Sequence, residues 1–164
     1  MRKLCVGLVV WLSAALAVTG CSTFRKAAHA MTPQPDPPEA IRWNGVLFTR
    51  ADTLADTASN PYGTAWMAPL SSNNQVILVR VMVVRARPGT TFDWRVHIGT
   101  CTHDRGTFGP PAGFKPIVAD STGTALGNTV LLLGFPNRGS YFVRVDAIDS
   151  GPPDGLCGTL TPPG

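Results

Sequence analysis

Gln75–Arg87 reads QVILVRVMVVRAR, and beyond a Pro88-Gly89 turn Thr90–Ile98 reads TTFDWRVHI. In the first stretch Val76, Leu78, Val81 and Val83 are set among Arg80, Arg85 and Arg87, an imperfect alternation whose β-branched content argues for strand over helix. In the second, Phe92, Trp94, Val96 and Ile98 fall on one face, and Asp93, Arg95 and His97 share the other. Working outward, Ile41–Thr49, Thr64–Leu70 (after an Asn60-Pro-Tyr-Gly63 turn), Phe114–Val118, Ala125–Leu133 and Ser140–Ile148 have the same character. In the last of these Tyr141, Val143, Val145 and Ala147 alternate with Phe142, Arg144, Asp146 and Ile148. Short strands every ten to fifteen residues, separated by Gly, Pro and Asn, predict an all-β, antiparallel β-sandwich or Greek-key barrel. No internal repeat is visible.

Composition agrees. The chain of 164 residues is the size of one domain, and 44% apolar content is enough for a core. Glu39 is its one glutamate, and Lys26 and Lys115 are the two lysines beyond the first twenty-one residues, against ten arginines there. A helix-rich protein uses Glu and Lys freely, so an all-α fold is disfavoured.

Residues 1–21 read MRKLCVGLVVWLSAALAVTGC. Two cations precede an uncharged run from Leu4 to Val18 that ends in small residues, the pattern of a secretory signal. As a helix that run would span roughly 22 Å, short of a hydrocarbon core of about 30 Å, which counts against a transmembrane anchor. Removing Arg2 and Lys3 with the leader leaves 12 basic against 10 acidic residues, so charge gives nucleic-acid binding no support. Val18-Thr19-Gly20-Cys21 resembles the bacterial lipobox. The resemblance implies cleavage before Cys21, S-diacylation of its thiol and acylation of the new amino group. Several acyl chains hold a protein to a bilayer far better than one. Residues 1–20 are thus read as a lipoprotein signal peptide with a signal helix. Residues 21–39 are the lipidated Cys and an extended linker in which Pro33, Pro35, Pro37 and Pro38 impose polyproline geometry. Residues 40–164 are the folded domain. The expected location is the bacterial cell envelope, lipid-anchored to a membrane; Ser22 after the Cys favours, by the same resemblance, the outer membrane where there are two. A plain secreted form is the alternative.

Cys5 leaves with the leader and Cys21 takes the lipid. Cys101 and Cys157 remain, an even pair in an exported domain, and are expected to form a disulfide. Ligation of a metal by the two thiolates is the rival, although neither belongs to a Cys-x-x-Cys pair.

Residues 75–160 resemble a copper/zinc superoxide dismutase-like β-sandwich, especially the exported bacterial form. Trp94-Arg-Val-His-Ile-Gly-Thr-Cys101 is similar to that family's His-x-His stretch and first disulfide Cys, and Gly113-Phe-Lys-Pro116 to its His-aromatic-Asp/Asn-Pro segment. Phe142-Val-Arg-Val-Asp146 resembles the late strand ending in a copper-binding His. Leu156-Cys-Gly-Thr-Leu160 resembles the closing segment, whose Cys pairs with the earlier one. Of the ligand set only His97 is matched. Arg95, Gly113 and Asp146 stand where the resemblance implies histidines, and Asp154 near its anion-steering Arg. One imidazole does not hold a redox copper, so the resemblance implies the frame without the dismutase chemistry.

Arg95, His97 and Asp146 are therefore expected to form a polar cluster in the vacated metal site, with Asp93 available to pair with Arg95. His103 joins His97 as the weak candidate for copper or zinc, and no cofactor is otherwise expected. Hydrolase, metalloprotease and phosphate-loop motifs are absent from the sequence. Trp43, Trp66, Trp94, Phe92, Phe142 and Tyr141 are either core or a platform for a small ligand or glycan. The expectation is a non-catalytic structural or interaction module with a membrane contact through its lipid and an unknown envelope partner. A copper/zinc protein and a ligand binder are the alternatives.

Overall fold

A computed structural model describes residues 36–49, 60–70, 72–148 and 155–164. The segment read as a signal peptide, Cys21, the part of the expected tether before Asp36, and Asp154 lie outside the described residues. Among the described residues, nine antiparallel strands form one sheet. They are β1 (Trp43–Thr49), β2 (Tyr62–Pro69), β3 (Ile77–Val84), β4 (Thr91–Thr100), β5 (His103–Thr107), β6 (Ile117–Val118), β7 (Ala125–Leu131), β8 (Tyr141–Ala147) and β9 (Leu156–Leu160). Their order is β5-β4-β8-β9-β1-β2-β3-β7, with β6 attached to β4.

The sheet curls because β1 serves two neighbours at different points along its length. Trp43 to Leu47 pair with β2, whereas Phe48 and Thr49 pair with β9. One half (β1, β2, β3, β7) thereby folds over the other (β5, β4, β8, β9), giving a sandwich-like, half-barrel arrangement with the core between them. Ile77, Val79, Val81 and Val83 of β3 meet Phe92, Trp94 and Val96 of β4 and Val143 and Val145 of β8, all buried. Burying each such side chain contributes about 1.5–3 kcal/mol.

Trp94 closes the two halves. Its ring lies edge-on to Phe114 at 5.1 Å, its indole N–H donates to the Lys115 carbonyl at 2.8 Å, and the side chain is 1% exposed. Across the core it meets Gly127 of β7, where a Cβ would stand 3.0 Å from the indole and 2.9 Å from Ile117. Only a glycine leaves the indole room at that place.

Three details differ from the sequence expectation. The alternation through Val76, Leu78, Val81 and Val83 changes phase, and the residues of β3 that enter the core are Ile77, Val79, Val81 and Val83; nearly every position there is apolar, so pairing with β2 and β7 sets the face. Ile98 leaves the core face and is 37% exposed, because the register with β5 shifts between His97 and Gly99 and the backbone turns at Gly99 (φ +111°). The strands β5 and β9 were not expected from periodicity: HDRGT carries no apolar alternation, and LCGTL is short.

Trp94→Ala is expected to destabilise the domain by about 3–5 kcal/mol and Gly127→Val by about 1–3 kcal/mol, the first from a cavity and the second from overpacking. Urea unfolding followed by tryptophan fluorescence and circular dichroism measures both.

Candidate functional site

The site is built on the outer face of β4 and β8. Their seven-residue register sets Asp93 opposite Asp146, Arg95 opposite Arg144, and His97 opposite Phe142. Like charges directly opposed on a sheet repel. Here each arginine instead neutralises the aspartate two residues away on its own strand. Arg95 Nη2 lies 2.9 Å from Asp93 Oδ2, and Arg144 Nε lies 2.8 Å from Asp146 Oδ2. These side chains, with Trp94 and His97, line a recess of about 180 Å³. The sequence expectation grouped Arg95, His97 and Asp146; all three border this recess, but no ion pair joins Arg95 to Asp146. The Nε of Arg95 is buried without a hydrogen-bond partner.

His97 makes a different contact. Its Nδ1 lies 3.0 Å from the Asp104 carboxylate, and its ring stacks on Phe142 at 5.0 Å. Asp104 also accepts the Gly106 backbone N–H at 2.7 Å. That backbone bond first, and then the His97 side-chain bond, hold the Asp104 carboxyl below its ordinary value of 3.8. Asp120 is lowered too, by bonds from the Thr122 hydroxyl and the Thr124 and Thr122 backbone N–H groups.

Cys101 and Cys157 are joined in a disulfide, with Cα atoms 6.0 Å apart. Cys157 sits on β9 in register with Arg144 and Arg95, two strands away from β4 and six residues short of Cys101, so flat strands would put the two cysteines roughly 22 Å apart. The β4–β5 hairpin therefore leans over β8, which the bend at Gly99 permits; a Cβ there would run into the His103 carbonyl oxygen. The lean explains Phe142. It points to the outer face, yet it is 1% exposed, covered by His97 and the hairpin.

Other candidate residues lie elsewhere. His103 and Asp104 are consecutive on β5, so their side chains project from opposite faces of the ribbon, and His97 holds Asp104. Gly113 ends a 3-10 turn packed on β7, where its carbonyl accepts from Thr129 Oγ1 at 2.7 Å. It does not border the recess. Among the described residues no three His, Cys, Asp or Glu side chains converge as a metal site.

Of the aromatics, Trp43, Trp94, Phe92 and Phe142 are buried. Trp66 is half-buried on the outer face of β2, with the Arg42 and Arg80 guanidinium groups 4.6 and 5.3 Å from its ring. Beside it lies a second recess of about 440 Å³ lined by residues that include Glu39, Asn44, Thr64 and Thr161. Asp104, Arg144 and this recess were missed in the sequence. Arg144, two residues before Asp146 on an alternating strand, was the one legible signal. No protein-family model and no curated protein matches the chain.

Two outcomes are expected. A carboxyl held low stabilises the fold above its unfolded pKa, and that contribution is lost as pH falls through the folded value. Stability should therefore decline below about pH 4, and Asp104→Asn should flatten the decline, as read from urea midpoints across pH. The disulfide spans a sequence separation of 56 residues, and Cys101→Ser/Cys157→Ser should cost about 4 kcal/mol in the same assay.

Proposed function

We propose that this protein is a membrane-anchored bacterial envelope lipoprotein whose domain is a non-catalytic structural or interaction module. The Cys101–Cys157 disulfide carries the reading, because such bonds persist in oxidising compartments outside the cytosol, where the signal and lipobox pattern would send the chain. The same bond supports the superoxide dismutase-like resemblance, since it joins the two segments that the resemblance pairs. The recess side chains support a structural cluster over a redox centre: Arg95, Arg144 and His97 each already face a carboxylate. The exposed Arg95–Asp93 and Arg144–Asp146 pairs contribute at most about 1 kcal/mol each, enough to order a surface. A second reading, as a binder of a small ligand or glycan, is favoured by the recess beside Trp66.

Expression in a lipoprotein-processing bacterium with an alkyne-palmitate label should give a labelled, membrane-bound protein. Cys21→Ser should lose the label. An unlabelled wild-type protein would remove the lipid anchor from the reading. Titration of the protein with Cu²⁺ and Zn²⁺ should show no stoichiometric binding. Tight binding abolished by His97→Ala would replace the non-catalytic reading with a metal-handling one.

A further inference from the structure

The two outer faces of this sheet differ in chemistry. On the half that bears the recess, β4 and β8 present Asp93, Arg95, Arg144 and Asp146 to solvent. On the other half, register aligns Val46, Thr64, Met82 and Leu126 in one row and Ala68, Leu78 and Val130 in another, in which Ala68 and Leu78 are themselves buried. Leu132 continues the outward side of β7. Val46 is 50% exposed, Leu126 63%, Val130 51% and Leu132 83%. Between the rows the register sets Asn44, Trp66, Arg80 and Asn128 side by side, Arg80 being the one charged strand residue of this outer face among the described residues. Exposed aliphatic side chains gathered in this way, three of them along β7 and its continuation, mark a contact surface.

The chain enters the domain across this same face. Asp36 is ion-paired to Arg80 at 2.6 Å, Pro37 is buried, and Arg42 donates from Nε to the Pro37 carbonyl at 2.7 Å while stacking on Trp66. Residues 36–39, assigned to the tether from sequence, thus begin the packed unit. Cys21 is 15 residues upstream of Asp36, so even full extension places it within about 55 Å of this face. The neighbour that an acylated Cys21 would bring within that distance is a bilayer.

We propose that the outer face of β1, β2, β3 and β7 lies against the membrane, with Leu126, Val130 and Leu132 entering the interface and the charged face of β4 and β8 turned away. This rests on the lipoprotein reading for its tether. Half-exposed aliphatic side chains gain by leaving water for the acyl boundary, and Trp66 between arginines suits the headgroup layer, where aromatic and cationic groups sit together.

The test holds the mature chain from Ser22, which keeps the whole packed unit Pro35–Gly164, on phosphatidylcholine/phosphatidylglycerol vesicles. An N-terminal histidine tag and a nickel-chelating lipid supply the attachment, so the result does not depend on acylation of Cys21. An environment-sensitive fluorophore is placed at Leu132→Cys or, on the opposite face, at Asp93→Cys. The Leu132 probe should shift to the blue and lose most of its emission to brominated lipid, while the Asp93 probe is unchanged. Adding Leu126→Asp/Val130→Asp should restore the emission without moving the urea midpoint. Equal quenching at both probes, or none at either, would overturn the proposal. A vesicle-free dimer that this double variant converts to monomer would also overturn it, by giving the face to a second copy. Quenching without palmitate labelling would keep the membrane face and discard the natural anchor.

Discussion

The fold closes where an indole meets a missing side chain. Trp94 reaches across the interior to the strip of β7 that Gly127 leaves open, and its N–H is satisfied by the Lys115 carbonyl, so a large polar-tipped ring is buried without an orphan donor. With that contact in place the two halves of a single sheet stand at core distance, and the valines and isoleucine of β3 find partners in β4 and β8. Without it, a half-barrel held at one corner by β1 has little to keep its ends together.

The second constraint is the disulfide, which acts on the outside. It draws the β4–β5 hairpin over β8 and so creates an inner layer on what would otherwise be an ordinary solvent face. Phe142 is buried there, His97 stacks above it, and Asp104 is brought to the imidazole. The recess beside this layer is a product of register. Two like-charged pairs face each other across β4 and β8, and each is relieved along its own strand by a pair with side chains more than a third exposed. Such an arrangement orders a surface at small energetic gain and leaves no imidazole cluster for a transition metal among the described residues.

The two outer faces then divide the labour of the molecule. One is charged and recessed; the other carries exposed aliphatic side chains along β7, bears Trp66 between arginines, and receives the incoming chain. That asymmetry is what the proposed placement at a membrane uses, and it has no counterpart in the core, where Thr129 is the one buried polar residue among the described residues.

Much of this was legible from residues alone. The strict alternation of Phe92, Trp94 and Val96 against Asp93, Arg95 and His97 determines both a half-buried strand and which side chains share its outer face, because a strand has a period of two whatever surrounds it. Once Cys5 and Cys21 are read as leader and lipid site, the two remaining cysteines point to a pair, and the structure joins them. The sequence could not decide the facing of Gln75–Arg87, where apolar residues occupy both sides and only the neighbouring strands break the tie. Nor could it find β5, whose polar residues carry no periodic signal, or the burial of Phe142, which a covalent crossing imposes from outside the core. Above all, whether Arg95 meets Asp93 or Asp146 is a matter of register and rotamer. Those are settled by the packing of strands distant in sequence, after the local pattern has had its say.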